Sequence, residues 1–225
     1  TAVTDLEYNG KAQKLAAAGQ TQEGKLMYKV NDGEWKEEVP TAVNAGTYTV
    51  YYKAVRGEGH GETEEQHFDV TISRKEISIV WANTEVIYDG TEKIPTAAAK
   101  GLAEGDNCNI TVTGGQTEAG TYTARAVAIN NANYKLPAET TVAFVIKKAD
   151  FQLITAPQAK TDLVYSGNKQ ELIDAGSSPN ATLLYKLGDG EWTEEIPSAV
   201  HAGTYDVSYK ITGDSNHNDL IGSEV

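Results

Sequence analysis

The sequence has very little of the chemistry that disulfide-bonded and membrane-spanning proteins need. Its 225 residues contain a single cysteine, Cys108, together with one methionine and three phenylalanines. One thiol cannot form a disulfide within the chain, so the fold must be held by its hydrophobic core. No apolar run is long enough to cross a bilayer, and the N-terminus lacks the pattern of a signal peptide. Either such a peptide was removed or the sequence is an excised segment, and we expect no membrane insertion.

Positive charge is scarce as well. The chain has 19 Lys and Arg residues against 32 Asp and Glu residues, which gives a net charge of −13 and a pI of about 4.7. The phosphate backbone of nucleic acids repels a surface of this sign. We therefore expect no nucleic-acid partner, and we interpret the excess of carboxylates as an aid to solubility.

Motifs of catalysis and metal binding are also missing. Neither a Gly-x-Ser-x-Gly elbow nor a phosphate-binding loop occurs. The adjacent carboxylates at Glu37–Glu38 and Glu194–Glu195 would point to opposite faces of a strand, so we interpret them as the solvated edge of a hairpin. Metal-ligand spacing is absent among the four histidines, which are His60, His67, His201 and His217. We predict no catalytic residue, no metal site and no cofactor, and hence no enzyme.

One segment near the end of the sequence has a partial likeness to a calcium-binding loop. Asp214–Asp219 reads DSNHND, with oxygen ligands at alternate positions. The glycine required at the sixth position and the glutamate required at the twelfth, where Val225 stands, are both missing. We interpret this segment as a polar loop.

The chain is rich in internal repetition. The letters AGTY occur at Ala45–Tyr48, Ala119–Tyr122 and Ala202–Tyr205. A Tyr-x-Gly triplet precedes each of them, and these triplets are Tyr8–Gly10, Tyr88–Gly90 and Tyr165–Gly167. Tyr8 and Tyr165 are 157 positions apart, and so are Tyr48 and Tyr205. The outer copies therefore align without a gap, whereas the middle copy is shorter where the outer copies carry the letters DGEW.

Three domains follow from this repetition. We predict a first repeat at 1–74, a divergent second repeat at 75–148 and a third repeat at 149–225. The joints ISRKEIS and VIKKADF are neither Gly/Ser-rich nor Pro-rich, so we expect restrained connections. Aligned on the first repeat, Val225 falls opposite Phe68, inside the closing strand. We therefore expect a truncated last strand in the third repeat and unpaired strand edges at both ends of the chain.

Residues that alternate between apolar and polar predict half-buried strands. The strand that AGTY opens has three apolar sets, which are Tyr48, Val50, Tyr52 and Ala54; Tyr122, Ala124, Ala126 and Ala128; and Tyr205, Val207, Tyr209 and Ile211. The closing strand has two such sets, which are Phe68, Val70 and Ile72, and Val142, Phe144 and Ile146. Hairpin turns are predicted at Asp32–Gly33 and Asp189–Gly190, because Asp-Gly readily takes positive φ angles.

Many short strands separated by turn signals are typical of β-sandwiches. We predict an all-β fold of three tandem small immunoglobulin-like β-sandwich domains in an elongated array. In such folds a Gly-x-Tyr sequence forms a tyrosine corner, whose hydroxyl bonds back to nearby backbone; Gly46–Tyr48, Gly120–Tyr122 and Gly203–Tyr205 fit this role. The alternative is an array of β-grasp-like repeats, with a short helix in the alanine-rich segments 11–19 or 96–105.

These motifs carry a family resemblance. The Tyr-x-Gly triplet, AGTY and a closing strand ending in VTI or FVI resemble the tandem extracellular repeats of bacterial surface proteins. The second repeat, with IYDG and AGTYTARAVAINNANY, is similar to the MBG or YDG repeats of adhesin-like proteins. The resemblance implies a secreted, wall-attached or cell-surface protein in which the repeats act as a stalk, spacer or adhesion scaffold. We expect a monomer.

Two other functions stay open at this point. One is a binding module for a host glycan or extracellular protein, and the other is an accessory region of a large extracellular carbohydrate-active enzyme. Exposed tryptophan suits sugar binding, and Trp35 and Trp192 follow the two DGEW turns at matched positions. We predict instead that both indoles are at least half buried against their own repeat, beside residues such as Tyr28 and Val30, with no cleft next to them.

β-Sandwich domains of Gram-positive surface proteins can carry a Lys–Asn isopeptide crosslink. This crosslink requires a buried lysine in contact with an asparagine and an acid. Four lysines recur at matched positions in the outer repeats, namely Lys29, Lys186, Lys53 and Lys210. Strand alternation places each of them opposite the apolar face. We therefore predict no crosslink at these lysines.

Overall fold

The structure is a computed structural model, and it describes residues 1–22, 24–56, 61–179 and 181–222. Within these ranges every regular element is a β-strand or β-bridge, which confirms the all-β prediction. The chain divides into two compact units. Unit 1 consists of Thr1–Asn83, Ile94–Gly114 and Thr123–Val142, and unit 2 consists of Thr84–Lys93, Gly115–Tyr122 and Ala143–Val225. The division passes through the second repeat, and the three-domain organisation stays a prediction.

The strands range from two to ten residues in length. Those of the first repeat are β1 (Leu6–Glu7), β2 (Gln13–Lys14), β3 (Lys25–Val30), β4 (Thr41–Ala42), β5 (Gly46–Val55) and β6 (Gln66–Ser73). Those of the second repeat are β7 (Lys75–Glu76), β8 (Ser78–Ala82), β9 (Glu85–Ile87), β10 (Thr96–Lys100), β11 (Ile110–Thr113), β12 (Gly120–Ile129), β13 (Tyr134–Lys135) and β14 (Thr141–Lys147). Those of the third repeat are β15 (Gln158–Ala159), β16 (Gln170–Glu171), β17 (Ile173–Asp174), β18 (Leu184–Leu187), β19 (Ser198–Ala199), β20 (Val207–Ile211) and β21 (Leu220–Ile221).

The larger sheets are built around the strands that follow AGTY. The strand orders are β1-β6-β5-β3, β11-β12-β14-β9 and β18-β20-β21, and the two-stranded sheets are β10-β8, β13-β7, β15-β17, β16-β19 and β2-β4. The strand before each of the first two Tyr-x-Gly triplets runs parallel to the closing strand, with Leu6 opposite Ile72 and Val86 opposite Ile146. The closing strands β6 and β14 thus lie where the alternation predicts them.

Antiparallel pairs recur at matched positions in all three repeats. One set is Gln13 with Ala42, Lys93 with Gln116, and Gln170 with Ala199. The other set is Ala2 with Ala16, Ala82 with Thr96, and Ala159 with Ile173. Each pair stands at the same distance from its Tyr-x-Gly triplet or its AGTY. The alignment read from the sequence is therefore also an alignment of backbone contacts.

The alanine-rich segments form no helix. Thr96–Lys100 is a strand paired with Ser78–Ala82, and its side chains alternate between exposed and half-buried. In the segment 11–19 the only strand of the structure is Gln13–Lys14. Isolated helices this short are unstable because nucleation is costly, whereas a neighbouring strand supplies backbone partners at once. The helix on which the β-grasp alternative rested is thus absent from both segments, and that expectation is wrong.

The predicted alternation holds with two corrections. In β12, Ala124 and Ala126 are buried but Ala128 is exposed. Thr111 pairs with Ala128 and Val112 pairs with Ala126, so a β-bulge places one extra residue of β12 between these two pairs. Beyond the bulge the side chains therefore point to the opposite faces of the sheet, and Ala128 is exposed. In the third repeat the strand begins at Val207, after AGTY instead of within it. The described residues there contain no closing strand that could pair with the AGTY segment.

Both DGEW hairpins turn one residue earlier than predicted. The Gly33 amide donates to the Val30 carbonyl at 2.9 Å, and the residue with positive φ is Asn31, at 49°. At the matched position of the third repeat, Gly188 has a φ of 52°. Asn and Gly are the residues that adopt this conformation most easily. Asp-Gly therefore marks the hairpin, while the residue before it provides the left-handed backbone.

Each unit has its own apolar cluster. In unit 1 the cluster runs across the joint between the first and second repeats, and its fully buried members include Leu15, Val50, Ile72 and Tyr134. In unit 2 the cluster lies within the third repeat, around Ile173, Tyr185, Val207 and Ile211. The unit 1 cluster also encloses Cys108, whose burial raises the pKa of its thiol.

The predicted unpaired edge at the N-terminus is wrong. Ala2 pairs with Ala16, because even the first three residues are long enough to bond to the backbone of residues 15–17. At the other end, Val225 lies outside the described residues. Leu163–Tyr165, the counterpart of β1 and β9, lies outside every strand of the described chain.

Candidate functional sites at the repeat junctions

All three AGTY sequences form a tyrosine corner, as the sequence predicted. In each case the tyrosine hydroxyl donates to the carbonyl oxygen four residues earlier. The bonds run from Tyr48 to Asn44 at 2.7 Å, from Tyr122 to Glu118 at 3.0 Å, and from Tyr205 to His201 at 2.7 Å. The corner therefore fixes the backbone of the residue just before AGTY.

The Tyr-x-Gly triplets form matching turns. Gly10, Gly90 and Gly167 have φ angles of 76°, 79° and 71°, a left-handed conformation that favours glycine. The middle residue of each triplet closes the turn with its side chain. Asn9 Oδ1 accepts from the Lys11 amide at 2.9 Å, and Asp89 Oδ1 accepts from the Thr91 amide at 2.9 Å.

At the junction of the first and second repeats, the side chain of Asn133 binds the AGTY segment of the preceding repeat. Asn133 Oδ1 accepts from the Ala45 amide at 2.9 Å, and Asn133 Nδ2 donates to Asn44 Oδ1 at 3.2 Å. The backbone carbonyl of Asn133 also accepts from the Lys75 amide at 3.0 Å, where β7 and β13 run parallel. The joint is thus held by both the backbone and the side chain of one asparagine.

Next to Asn133, two tyrosines share one carboxylate. The rings of Tyr8 and Tyr134 meet edge to face with centroids 5.3 Å apart. Their hydroxyls donate to Asp106 Oδ2 at 2.7 and 2.6 Å. These bonds, that from Tyr134 above all, hold the pKa of Asp106 below its ordinary value. Burial and the bond to Asp106 raise the pKa of Tyr134 to about 12.

At the junction of the second and third repeats, Asn216 makes the same contacts. Its Oδ1 accepts from the Ala119 amide at 2.8 Å, its Nδ2 donates to the carboxylate of Glu118, and its carbonyl accepts from the Ala149 amide at 2.9 Å. The next residue, His217, meets Tyr88 edge to face at 5.4 Å and stacks on Phe151 at 4.6 Å. His217 thus takes the place that Tyr134 has at the first junction.

The loops that carry these asparagines are built alike. Asn131 Oδ1 accepts from the Asn133 amide at 3.0 Å, and Asp214 Oδ1 accepts from the Asn216 amide at 2.7 Å. Each loop therefore follows the pattern Asn or Asp, any residue, Asn, then Tyr or His, and we call it the plug loop. The surface that it covers, formed by Tyr-x-Gly and AGTY of the preceding repeat, is called the corner face.

The plug loop also accounts for the segment that resembled a calcium loop. Asp214 Oδ1 accepts from the backbone amides of Asn216 and His217, and these bonds lower the pKa of the carboxyl. Asp219 Oδ1 accepts from the Gly213 amide at 2.7 Å. The carboxylates thus cap the backbone of their own loop, in agreement with the polar-loop interpretation.

Trp35 and Trp192 lie on the outer faces of their sheets, against lysines. Trp35 has the Nζ atoms of Lys29 and Lys53 over its ring, at 5.0 and 4.6 Å from the centroid. Trp192 has the Nζ atoms of Lys186 and Lys210 over its ring, at 5.3 and 4.6 Å. Both indoles are more than half buried, as predicted. Their neighbours are these lysines, however, and the expected packing beside Tyr28 and Val30 is wrong because those side chains face the other way.

A cavity of about 290 Å³ lies beside the first DGEW hairpin, and one of about 350 Å³ lies at the matched place in the third repeat. Their linings include Tyr28, Val30 and Pro40 in the first repeat, and Tyr185 and Leu187 in the third, but neither indole. The cavities and the tryptophans are thus separate features.

The remaining candidate residues do not converge on a chemical site. The adjacent carboxylates at Glu37–Glu38 and Glu194–Glu195 are exposed, and Glu37 pairs with Lys25. His67 and His201 are exposed, and His60 lies outside the described residues. No lysine in the described ranges is buried as an isopeptide crosslink requires. In the same ranges, no three His, Cys, Asp or Glu side chains are grouped in a way that could hold a metal ion.

No family model, no curated protein and no solved structure matches the chain. Among the residues that the structure describes, no helix is both long and apolar enough to span a membrane.

Proposed function

We propose that the chain is a non-catalytic array of tandem β-sandwich repeats in a bacterial cell-surface or secreted protein, where it acts as a stalk or spacer. The observation that carries this proposal is that an asparagine makes the same hydrogen bonds at both junctions. Asn133 and Asn216 each bind an AGTY alanine amide and a backbone amide of the joint. A spacer needs joints of defined geometry, and repeated joints of one kind meet that need.

The joints restrain the repeats by more than chain connectivity. Each joint combines backbone hydrogen bonds, a capping asparagine and an edge-to-face ring contact. Hydrogen bonds of this kind contribute about 0.5–1.5 kcal/mol each, and an aromatic pair contributes about 0.5–1.5 kcal/mol beyond its buried area. A hinge motion at either joint would have to break most of these contacts together.

The length of the particle in solution tests this proposal. A repeat whose strands have about ten residues is roughly 35 Å long at about 3.3 Å per residue, so three in line span about 100 Å. We expect a maximum dimension near this value in small-angle X-ray scattering. A compact particle close to the diameter of a sphere of this mass would contradict the proposal.

A distance measurement tests the stiffness of the array. Thr4 and Thr212 are exposed, and spin labels at Thr4→Cys and Thr212→Cys, with Cys108→Ala, report one long distance. We expect a single narrow distribution in the intact chain and a broad one after Asn133→Ala and Asn216→Ala. A broad distribution in the intact chain would show that the joints do not define the geometry.

A further inference from the structure

The third repeat presents a corner face that the structure leaves open. Its Tyr-x-Gly tyrosine, Tyr165, is 64% exposed, whereas Tyr8 at the matched position of the first repeat is 4% exposed. The tyrosine ring that is buried at the first junction is thus exposed in the third repeat.

The AGTY segment of the third repeat is open in the same way. Ala45 and Ala119 are half-buried, and their amides donate to Asn133 and Asn216. Ala202 is exposed, and in the described part of the chain its amide has no hydrogen-bond partner. The tyrosine corner next to it is nevertheless formed, with Tyr205 bonded to the His201 carbonyl. The tyrosine corner of this face therefore forms without a plug loop to cover it.

A cavity of about 260 Å³ lies between the two parts of this corner face. Its lining includes Leu163, Tyr165, Leu172, His201 and Tyr205. At the covered junctions the ring of Tyr134 or His217 lies against the corresponding Tyr-x-Gly tyrosine. The open cavity is thus of the right kind for one aromatic ring of a plug loop.

We propose that the corner face of the third repeat is a docking site for a further β-repeat that presents a plug loop, with its asparagine on the Ala202 amide and its Tyr or His ring on Tyr165. This inference rests on the proposed function and extends it, because it states the rule by which one repeat accepts the next.

The occupant needs a free plug loop, and this requirement excludes the first repeat of a second copy. Residues 57–60 of the first repeat align with the plug loop 214–217 and read Gly-Glu-Gly-His. A glycine there has no side chain to cap an amide. The plug loops at 131–134 and 214–217 are already engaged at the two junctions. A repeat with its own Asn-Tyr or Asn-His loop is therefore the partner that fits.

The test extends the full chain by one repeat. Val225 aligns with Phe68, so a second copy of residues 69–148 joined after Val225 supplies a closing strand, a joint and the plug loop 131–134. Amide hydrogen exchange at Ala202 is then compared with exchange in the original chain. We expect exchange on the order of tenfold slower, the change that corresponds to about 1.4 kcal/mol.

The matched control carries Asn133→Ala in the added copy alone, which keeps the new closing strand but removes the capping oxygen. We expect Ala202 to exchange as fast in this variant as in the original chain. Equal protection in both extended chains would overturn the proposal, since the closing strand alone would then explain it. Protection of Ala202 in the original chain through self-association, seen as a concentration-dependent mass in ultracentrifugation, would also overturn it.

The same experiment separates this inference from the proposed function. Ala45 and Ala119 report on the two existing junctions within the extended chain. If they are protected and Ala202 is not, the docking proposal fails while the stalk proposal stands. If Ala45 and Ala119 exchange freely, the junctions are not persistent and the stalk proposal fails as well.

Discussion

Replacing the glycine of AGTY with alanine should have opposite effects in different repeats, although the four letters are the same. The three variants are Gly46→Ala, Gly120→Ala and Gly203→Ala. A Cβ at Gly120 would lie 2.8 Å from the hydroxyl oxygen of Tyr122 and 2.9 Å from the carbon that bears it. A Cβ at Gly46 or Gly203 would find its nearest atoms at 3.9 or 3.8 Å, which is ordinary van der Waals contact.

The magnitudes follow from these distances. None of the three glycines has a left-handed φ, so alanine is allowed by the backbone and restricts the unfolded chain, which stabilises by about 0.4–1 kcal/mol. At Gly120 the Tyr122 ring must also move, which costs about 1–3 kcal/mol for overpacking. Loss of its bond to Glu118 adds about 0.5–1.5 kcal/mol. We expect Gly120→Ala to destabilise by about 1–3 kcal/mol, and the other two variants to be neutral or slightly stabilising.

Urea denaturation followed by circular dichroism and tryptophan fluorescence measures the effect. Trp35, Trp81 and Trp192 fall one in each repeat, so single-tryptophan backgrounds assign a changed midpoint to a repeat. Tyr122→Phe is the matched control, because its ring has no bond to Glu118 to lose and can move away from the new Cβ. In that background Gly120→Ala should cost clearly less. A similar loss of stability in all three alanine variants would refute the reasoning. Contacts at the corner would then not decide whether alanine stabilises or destabilises a repeat.

Four further outcomes are expected. Tyr134 has its pKa raised from 10.0 to about 12, so unfolding stability should fall as pH rises between these values. Tyr134→Phe should reduce that fall without abolishing it, because the bond to Asp106 also raises the pKa of Tyr8. The pKa of Asp106 is lowered, so its contribution is lost as pH falls below the ordinary aspartate range. Asp106→Asn should reduce the acid dependence of stability, and Asp89 and Asp214, whose pKa values are also lowered, should account for part of what remains. Trp192→Ala should cost about 1–2 kcal/mol in thermal melts; normal melting with loss of a glycan-array signal would favour an adhesin instead. Asn133→Ala should speed exchange of the Ala45 amide about tenfold and cost about 1 kcal/mol; unchanged exchange would argue against the cap.

Local features of the fold could be predicted because local chemistry decides them. The Tyr-x-Gly turns require a left-handed residue, and glycine supplies it at Gly10, Gly90 and Gly167. The tyrosine corner joins residues four apart, so its formation depends on a short segment. The β6 and β14 strands could be recognised because one face is apolar and side chains alternate every second residue.

The failures have equally physical reasons. Ala128 was assigned to the buried face because a bulge leaves no mark on alternation until the partner strand is known. The alanine-rich segments were possible helices by propensity, yet Thr96–Lys100 is a strand because tertiary pairing overrides a weak local preference. Both errors come from partners that lie far away in the sequence.

The junction asparagines escaped sequence reasoning for a related reason. Asn133 and Asn216 lie in loops of unequal repeats, and their partners Ala45 and Ala119 are about ninety positions earlier. A signal did exist in the sequence, because NANY and DSNH share an Asn before an aromatic ring and an Asx residue two positions earlier. The contact of Trp35 with Lys29 and Lys53 depends on the pairing of β3 with β5, which the alternation within either strand does not reveal.

The repeated AGTY acquires its meaning from these junctions. The DGEW hairpin occurs in two repeats and is absent from the second, so the fold tolerates its loss. AGTY occurs in all three, and its residues have separate tasks at the corner face. Ala45 and Ala119 offer their amides to the plug loop of the next repeat, and each tyrosine fixes the carbonyl before its alanine. In the second repeat the glycine also leaves room for the tyrosine ring. Loss of the tyrosine of AGTY should therefore alter both a repeat and its joint, whereas a change in the hairpin alters one repeat alone.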